Sequence, residues 1–295
     1  MDPTHLDRLP ILPFMDARTA TAPGVQPLDP AAWLRRDSAF AAQMAVRDGL
    51  ITGERRAEVV QQADWGLPAA RELLETVLAA IAADPGYTRS GDRVTRPDGA
   101  EIDLTANGPL ATIGRLVQED FLVLERREEE AEHHLGGGVL CFPSRWSLQE
   151  KMRRGLLAIH EPVSFYEETL SRRVQRFFDA IRPGRPLWRA NWVLHTYPEL
   201  FQPISKANRQ RNFDQPDLWL RVERQTLSRL PETGAVVFTV KTDVAHLSSL
   251  SAEEGSVMMA AFRALPAAEY DYKGGDRMLA RLVETFPEGA VRENA

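Results

Sequence analysis

Apolar positions recur at helical spacing most clearly at Leu67, Ala70, Leu73, Leu74, Val77, Leu78 and Ile81, and the spacing predicts a helix that "DPGY" ends. The pattern then changes. "RSGDRVTRPDGAEIDL" alternates around turn signals at "SGD" and "PDG", which predicts a small hairpin. "DFLVLERRE", 120–128, and "GGGVLCF", 136–142, read as partner strands around an acidic loop. Ser147 to Glu150 and Ser164 to Glu167 are both Ser-x-x-Glu, a capping box expected to open a helix. The first helix would put Leu148, Met152 and Leu156 on one face. The second would align Tyr166, Leu170, Val174, Phe177, Phe178 and Ile181 until "RPGRP" stops it.

Alternation dominates the next third. "LWRANWVLH" places Trp188, Ala190, Trp192 and Leu194 on one face of a strand and Arg189, Asn191, Val193 and His195 on the other. "DLWLRVERQTL" separates Leu218, Leu220, Val222 and Arg224 from Trp219, Arg221, Glu223 and Gln225. "GAVVFTVKT" is nearly all apolar and β-branched, as in a strand covered on both faces. Residues 1–30 hold six prolines and read as an extended arm on the surface, followed by the charged segments "DSAFAAQMAVRDGL" and "GERRAEVV". Beyond 251 the chain reads as helical with an irregular "EYDYKGGD".

This order predicts an α+β fold: an antiparallel sheet with helices on one face. The division is an N-terminal arm and helical extension over 1–115, a core over 116–245 and a C-terminal helical extension over 246–295, all in one compact unit. Two strands, a helical group and three antiparallel strands are also the order of a PAS-type sensor domain. Such sheets curl around a pocket that often holds a flat cofactor, although fold alone does not fix function.

Composition narrows the classes. A 295-residue chain with 43% hydrophobic and 26% charged residues can bury a substantial core. The formal net charge of −6 argues against nucleic acid or an anionic membrane as the main partner. A single cysteine excludes an intrachain disulfide and a Cys-rich zinc or iron–sulfur site. No run of about 18 apolar residues predicts a membrane-spanning helix. "MDPTHLDRLPILPF" lacks the basic start and apolar core of a signal peptide, so the cytoplasm is the expected compartment. There is no Gly-rich dinucleotide fingerprint after a strand, no P-loop and no His-Glu-x-x-His.

Several residues carry candidate chemistry. His160, in "AIHEPV", either caps or fills local structure or serves as an axial ligand to haem iron, the usual role of neutral imidazole in oxygen-binding proteins. His195, at a strand end, is a second candidate, while His133 and His134 read as solvated in the acidic loop. Cys141 reads as a small buried hydrophobe, with thiolate ligation as the alternative. Arg145, Lys151, Arg153, Arg154, Arg221 and Arg224 could meet haem propionates, or for the helix members simply face solvent. Arg224 points with the apolar set, so it must find an anion or acceptors. Glu223 could bind a cationic amine or pair with a neighbouring arginine.

The segments "VQEDFLVLER", "LCFPSRWSLQEKM", "AIHEPVSFY", "RANW", "ELFQP", "LWLRVERQTLSRLPETGAVVFTVKT" and "YKGG", in that order over about 117–273, resemble the haem-dependent oxidative N-demethylase family. The resemblance implies a PAS-like α subunit that binds haem b. The implied activity is oxidative demethylation of a small secondary amine, dimethylamine, to methylamine and formaldehyde with O2. Companion subunits would supply electrons through flavin and an iron–sulfur cluster and take up formaldehyde through a folate. His160 matches the family's Ile-His-x-Pro-Val motif, which makes it the expected iron ligand. Arg153 stands where the family usually has Gly. With the resemblance in place, Glu223, Arg224 and Asn191 are the expected catalytic residues. Arg145, Lys151, Arg221 and Trp192 join His160 as expected cofactor-binding residues. A haem-based sensor or ligand-binding protein without turnover is the competing expectation.

Overall fold

A seven-stranded antiparallel sheet organises the chain, in a computed structural model that describes residues 2–20, 24–126, 132–160, 168–203 and 213–287; side chains at 160 and 168–173 lie outside that description. In chain order the elements begin with β1 (Gln26–Pro27), α1 (Phe40–Thr52), α2 (Arg56–Val59), β2 (Val60–Gln62) and α3 (Leu67–Ile81). A separate small sheet holds β3 (Thr88–Ser90), β4 (Arg93–Thr95) and β5 (Glu101–Asp103). Then come α4 (Pro109–Leu116), β6 (Asp120–Glu125), β7 (His134–Val139), α5 (Leu148–Lys151), α6 (Leu156–His160) and α7 (Glu168–Ala180). The chain continues through β8 (Leu187–His195), β9 (Trp219–Arg229) and β10 (Val236–His246) to α8 (Ala252–Arg263), α9 (Ala267–Tyr272) and α10 (Gly275–Thr285).

The sheet order is β1-β8-β9-β10-β6-β7-β2. The last long strand, β10, therefore pairs with the first, β6, and β9 lies between β8 and β10. The N-terminal segment contributes both outer strands, β1 and β2.

Helices cover both faces, not one as patterning suggested. On the inner face, α5, α6 and α7 bring Leu148, Leu156, Phe178 and Ile181 against Leu124, Leu227 and Val236. On the outer face, α3 and α4 pack over Phe121, Val123 and Val237. At the other end of that face, α8 and α10 bury Met258, Phe262, Met278 and Leu282 against Trp192, Leu220, Val222 and Ala245. The N-terminal arm joins this second group: Leu9 and Phe14 are core residues, and Leu6 N–H donates to Val244 O at 2.9 Å. The arm is thus part of the core, because it satisfies a β10 carbonyl beyond the reach of β6.

Other expectations changed with tertiary context. The expected hairpin is a three-stranded meander with β4 in the middle. Ser147 precedes a helix but makes no side-chain cap bond, and α5 ends after one turn. Arg153 adopts a left-handed backbone (φ 63°), a conformation that glycine permits freely. There the chain leaves the helix to pair with β7: Arg153 N–H donates to Leu135 O at 2.9 Å, and Leu135 N–H returns to Arg154 O at 3.0 Å. The second Ser-x-x-Glu, Ser164 to Glu167, lies outside the described residues, as do Tyr166 and the Leu170 side chain. Val174, Phe177, Phe178 and Ile181 all pack on the inner face as expected.

Candidate functional site

Strand alternation decides what the inner face presents. Register pairs Asn191 with Glu223 and Glu223 with Thr242, so these three side chains form one row across β8, β9 and β10. Flanking rows hold Arg189, Gln225 and Val240, and Val193, Arg221 and Val244. A hydrogen-bonded ladder runs along them. Arg189 Nε donates to Gln225 Oε1 at 2.8 Å, and Gln225 Nε2 donates to Glu223 Oε2 at 3.0 Å. Arg221 Nε donates to Glu223 Oε1 at 3.2 Å.

Arg221 is fully committed. It is 1% exposed and also donates to the carbonyls of Leu200 (3.1 Å) and Phe142 and to Thr242 Oγ1 (3.3 Å). Burial works against its charge, and the carboxylate of Glu223 opposes that loss. Arg189 differs. Its hydrogen bond goes to a neutral amide, and among the described residues no carboxylate forms an ion pair with it. Burial works against its charge as well, with more distant support from Glu223 and Glu269. A half-buried guanidinium without a bonded anion is an electrostatic deficit that an incoming anion would relieve. Asn191, half-buried opposite Glu223, has no side-chain partner among the described residues.

Beside the ladder the inner face becomes apolar. Leu122 and Phe238, from the two central strands, are only partly buried, as are Trp146, Met152, Ile159, Val174 and Phe177 across from them. His160 closes α6, whose Leu156 and Ile159 belong to this cluster; its side chain is outside the described residues. Lys151 Nζ sits 4.4 Å from the Trp146 ring centre, and Arg145 has a left-handed backbone (φ 61°) whose N–H donates to Gln202 O at 3.0 Å. Arg153 and Arg154 are exposed.

The structure separates two expected site residues from this group. Arg224 lies on the outer face, where its guanidinium donates to Trp33 O at 2.9 Å and Ala32 O at 2.6 Å. The acceptors that an inward Arg224 required are backbone carbonyls of the N-terminal segment, and they do not bring it to Glu223. Trp192 is also on the outer face, 5% exposed, edge-on to Phe14 at 5.5 Å, with Lys273 Nζ 4.5 Å above its ring. It is core for the C-terminal helices.

His133 is 2% exposed and so is not solvated, and burial holds its pKa below the usual histidine range. His195 is buried beside Ser144, with Oγ 3.3 Å from Nε2. Cys141 is fully buried, and burial pushes its thiol up to about 12 despite nearby Arg47, which disfavours a thiolate. Sequence reasoning missed Arg189. Its place beside Asn191 in the alternation was a signal, but its lack of a counter-charge became visible only in three dimensions.

The donor set fits a flat, mainly apolar group with acidic edges. It offers a partly buried apolar patch bordered by an arginine that forms no ion pair among the described residues. The chain matches the family model described as haem-dependent oxidative N-demethylase, alpha subunit-like, over residues 24–283. The match exceeds the span of the recognised motifs and takes in both the N-terminal extension and the C-terminal helices.

Proposed function

The chain belongs to the haem-dependent oxidative N-demethylase, alpha-subunit-like family, and on that premise we propose that it is the haem-binding subunit of an oxidoreductase that demethylates a small secondary amine of the dimethylamine class. The balanced reaction takes the amine, O2, two electrons and two protons to the primary amine, formaldehyde and water. Bound haem b would supply O2 activation, which no amino-acid side chain offers. The pairing of β10 with β6 around the α5–α7 group supports a PAS-like arrangement of the core.

The observation that carries this reading is the Arg189–Gln225–Glu223–Arg221 ladder on the face covered by α5–α7. Arg189 would neutralise one propionate, with Arg145 and Lys151, which flank Trp146, as candidates for the other. His160 would hold the iron through its imidazole. Glu223 accepts a hydrogen bond from the amine N–H, since a carboxylate keeps acceptor capacity beyond two bonds. Arg221 already balances its charge, so the amine is held by hydrogen bonding more than by ion pairing. Asn191, opposite Glu223, fixes the orientation of the amine. Arg221 locks Glu223 in place and, saturated by carbonyls, does not itself meet the cofactor. Electrons come from a separate flavin/iron–sulfur protein, because one cysteine cannot hold a cluster. Exposed Arg153 and Arg154 are the docking patch for it, with contacts that weaken as salt rises.

Haem titration of the purified chain tests the proposal. A Soret band saturating at one equivalent is expected, lost or weakened in His160→Ala and retained in Cys141→Ser. Dimethylamine should then shift the band, and adding the reductase should yield formaldehyde, with the shift lost in Glu223→Leu, which removes the acceptor. No band at one equivalent refutes haem binding. A stable haem complex that neither responds to millimolar dimethylamine nor releases formaldehyde identifies a ligand-binding protein instead.

A further inference from the structure

His160 ends a helix of five residues, Leu156–His160. One turn of helix has no independent stability, so contacts from outside set where it sits. Those contacts converge on Glu132, just before β7. Its Oε2 accepts from Leu157 N–H at 2.9 Å and from Gln175 Nε2, on α7, at 3.3 Å. Gln175 Oε1 accepts from the backbone N–H of His133 at 3.2 Å and lies 3.1 Å from His133 Nδ1. An amide oxygen only accepts, so this geometry puts the His133 proton on Nδ1. Leu156 N–H donates to His133 O at 3.1 Å, and His134 bridges to Gly155. Gly155 is what admits the carboxylate: a Cβ there would run into Glu132 Oε1. A negative charge at the start of α6 also suits the exposed N–H groups of its first turn.

Glu132 therefore joins β7, α6 and α7 through one carboxylate, three residues along the chain from Leu157 to His160. We propose that Glu132, supported by Gln175, is a positioning residue that fixes α6 and so sets the iron–imidazole geometry at His160. This rests on the reading of His160 as the axial ligand. It accounts for glycine at 155, where a Cβ would displace the Glu132 carboxylate, and for the burial of His133.

The test uses the full chain loaded with haem and reads the ferrous iron–imidazole stretching band by resonance Raman together with haem affinity. Glu132→Ala should shift or broaden the band and weaken haem binding roughly tenfold, the range typical of residues that orient a metal ligand. Gln175→Met, which leaves the carboxylate in place, should shift it less. Glu132→Gln, which keeps an acceptor for Leu157, should restore most of the band. In His160→Gly supplied with imidazole, the ligand is detached from α6 and Glu132→Ala should no longer matter. An unchanged band and affinity in both Glu132→Ala and Gln175→Met, with His160→Gly abolishing the band, overturns the positioning role alone. So does a Glu132→Ala shift that persists in the imidazole-supplied background. A band that survives His160→Gly without imidazole overturns the His160 reading and this proposal together.

Discussion

Both faces of the central sheet carry cations, Arg224 and Lys241 outside on β9 and β10 and Arg189 and Arg221 inside on β8 and β9, yet they are treated differently. On the outer face, Lys241 is 2% exposed and lies 2.6 Å from Asp37 Oδ2 and 2.7 Å from Asp243 Oδ1. Arg224 beside it donates to two carbonyls of the N-terminal segment. Thr226 and Thr239 close the same surface, with hydroxyls 2.6 Å apart. Each outer cation is paired or capped by the fold itself. On the inner face Arg221 is equally saturated, but Arg189 holds one neutral amide and Asn191 holds nothing among the described residues. Buried charge by itself therefore does not mark a functional site. Hydrogen-bonding capacity that the fold leaves unused does.

The strongest way to break this comparison is at Lys241. Lys241→Ala leaves the buried Asp243 and the partly buried Asp37 without their cation, and removing one partner of a buried pair costs about 3–5 kcal/mol. Urea unfolding of the chain should show that loss. The amine response of the protein that remains folded should be unaltered, since Lys241 faces away from Glu223. A loss below about 1 kcal/mol would mean that the outer network is hydrated and not saturated.

Arg189 should give the opposite profile. Arg189→Leu removes a charge that has no ion-paired carboxylate among the described residues, so the chain should lose little stability. Haem affinity should fall by roughly ten- to a hundredfold, in line with about 1.5–3 kcal/mol for a charge-assisted bond. Absorption titration measures it. Equal haem affinity in Arg189→Leu and the parent protein would remove the distinction between the faces.

The smallest effect sharpens the outer side. Glu125 ends β6 with Oε1 buried and unpartnered among the described residues, and burial pushes its carboxyl up to about 7. The folded state therefore binds this proton more tightly than the unfolded chain, whose glutamates titrate near 4.3. Its contribution is fully present below that value and is lost as pH rises through about 7. Glu125→Gln should leave stability at pH 4 unchanged and raise it at pH 8. Partial exposure limits the gain to under about 1 kcal/mol. Parallel stability–pH curves for the two proteins would show that Glu125 is solvated.

Much of the local structure could be read directly from the residues. The α3 heptad-like spacing and the β6–β10 runs needed only periodicity. Helix α1 escaped because Arg47 and Gln43 share its buried face with Met44 and Ile51, which hides the apolar stripe. Arg47 is tolerated there because it donates to Gly114 O, Gln118 O, Glu119 O and Asp120 Oδ1, acceptors some seventy residues along the chain. The helix expected from Ser147 begins there but ends after one turn, because the chain then pairs with β7.

What the sequence determined by itself is which residues travel together. A strand's side chains alternate with period two, so Arg221, Glu223 and Gln225 had to share a face and Arg224 had to oppose them, whatever the rest of the chain did. Tertiary structure decided what that division means. Register placed Asn191 against Glu223. Carbonyls from Ala32 and Trp33 occupied Arg224, and those of Phe142 and Leu200 occupied Arg221. Among the described residues, Arg189 holds only Gln225. Alternation is a property of neighbouring residues, but saturation of a buried charge depends on groups delivered from distant parts of the chain, and only the folded molecule brings them into reach.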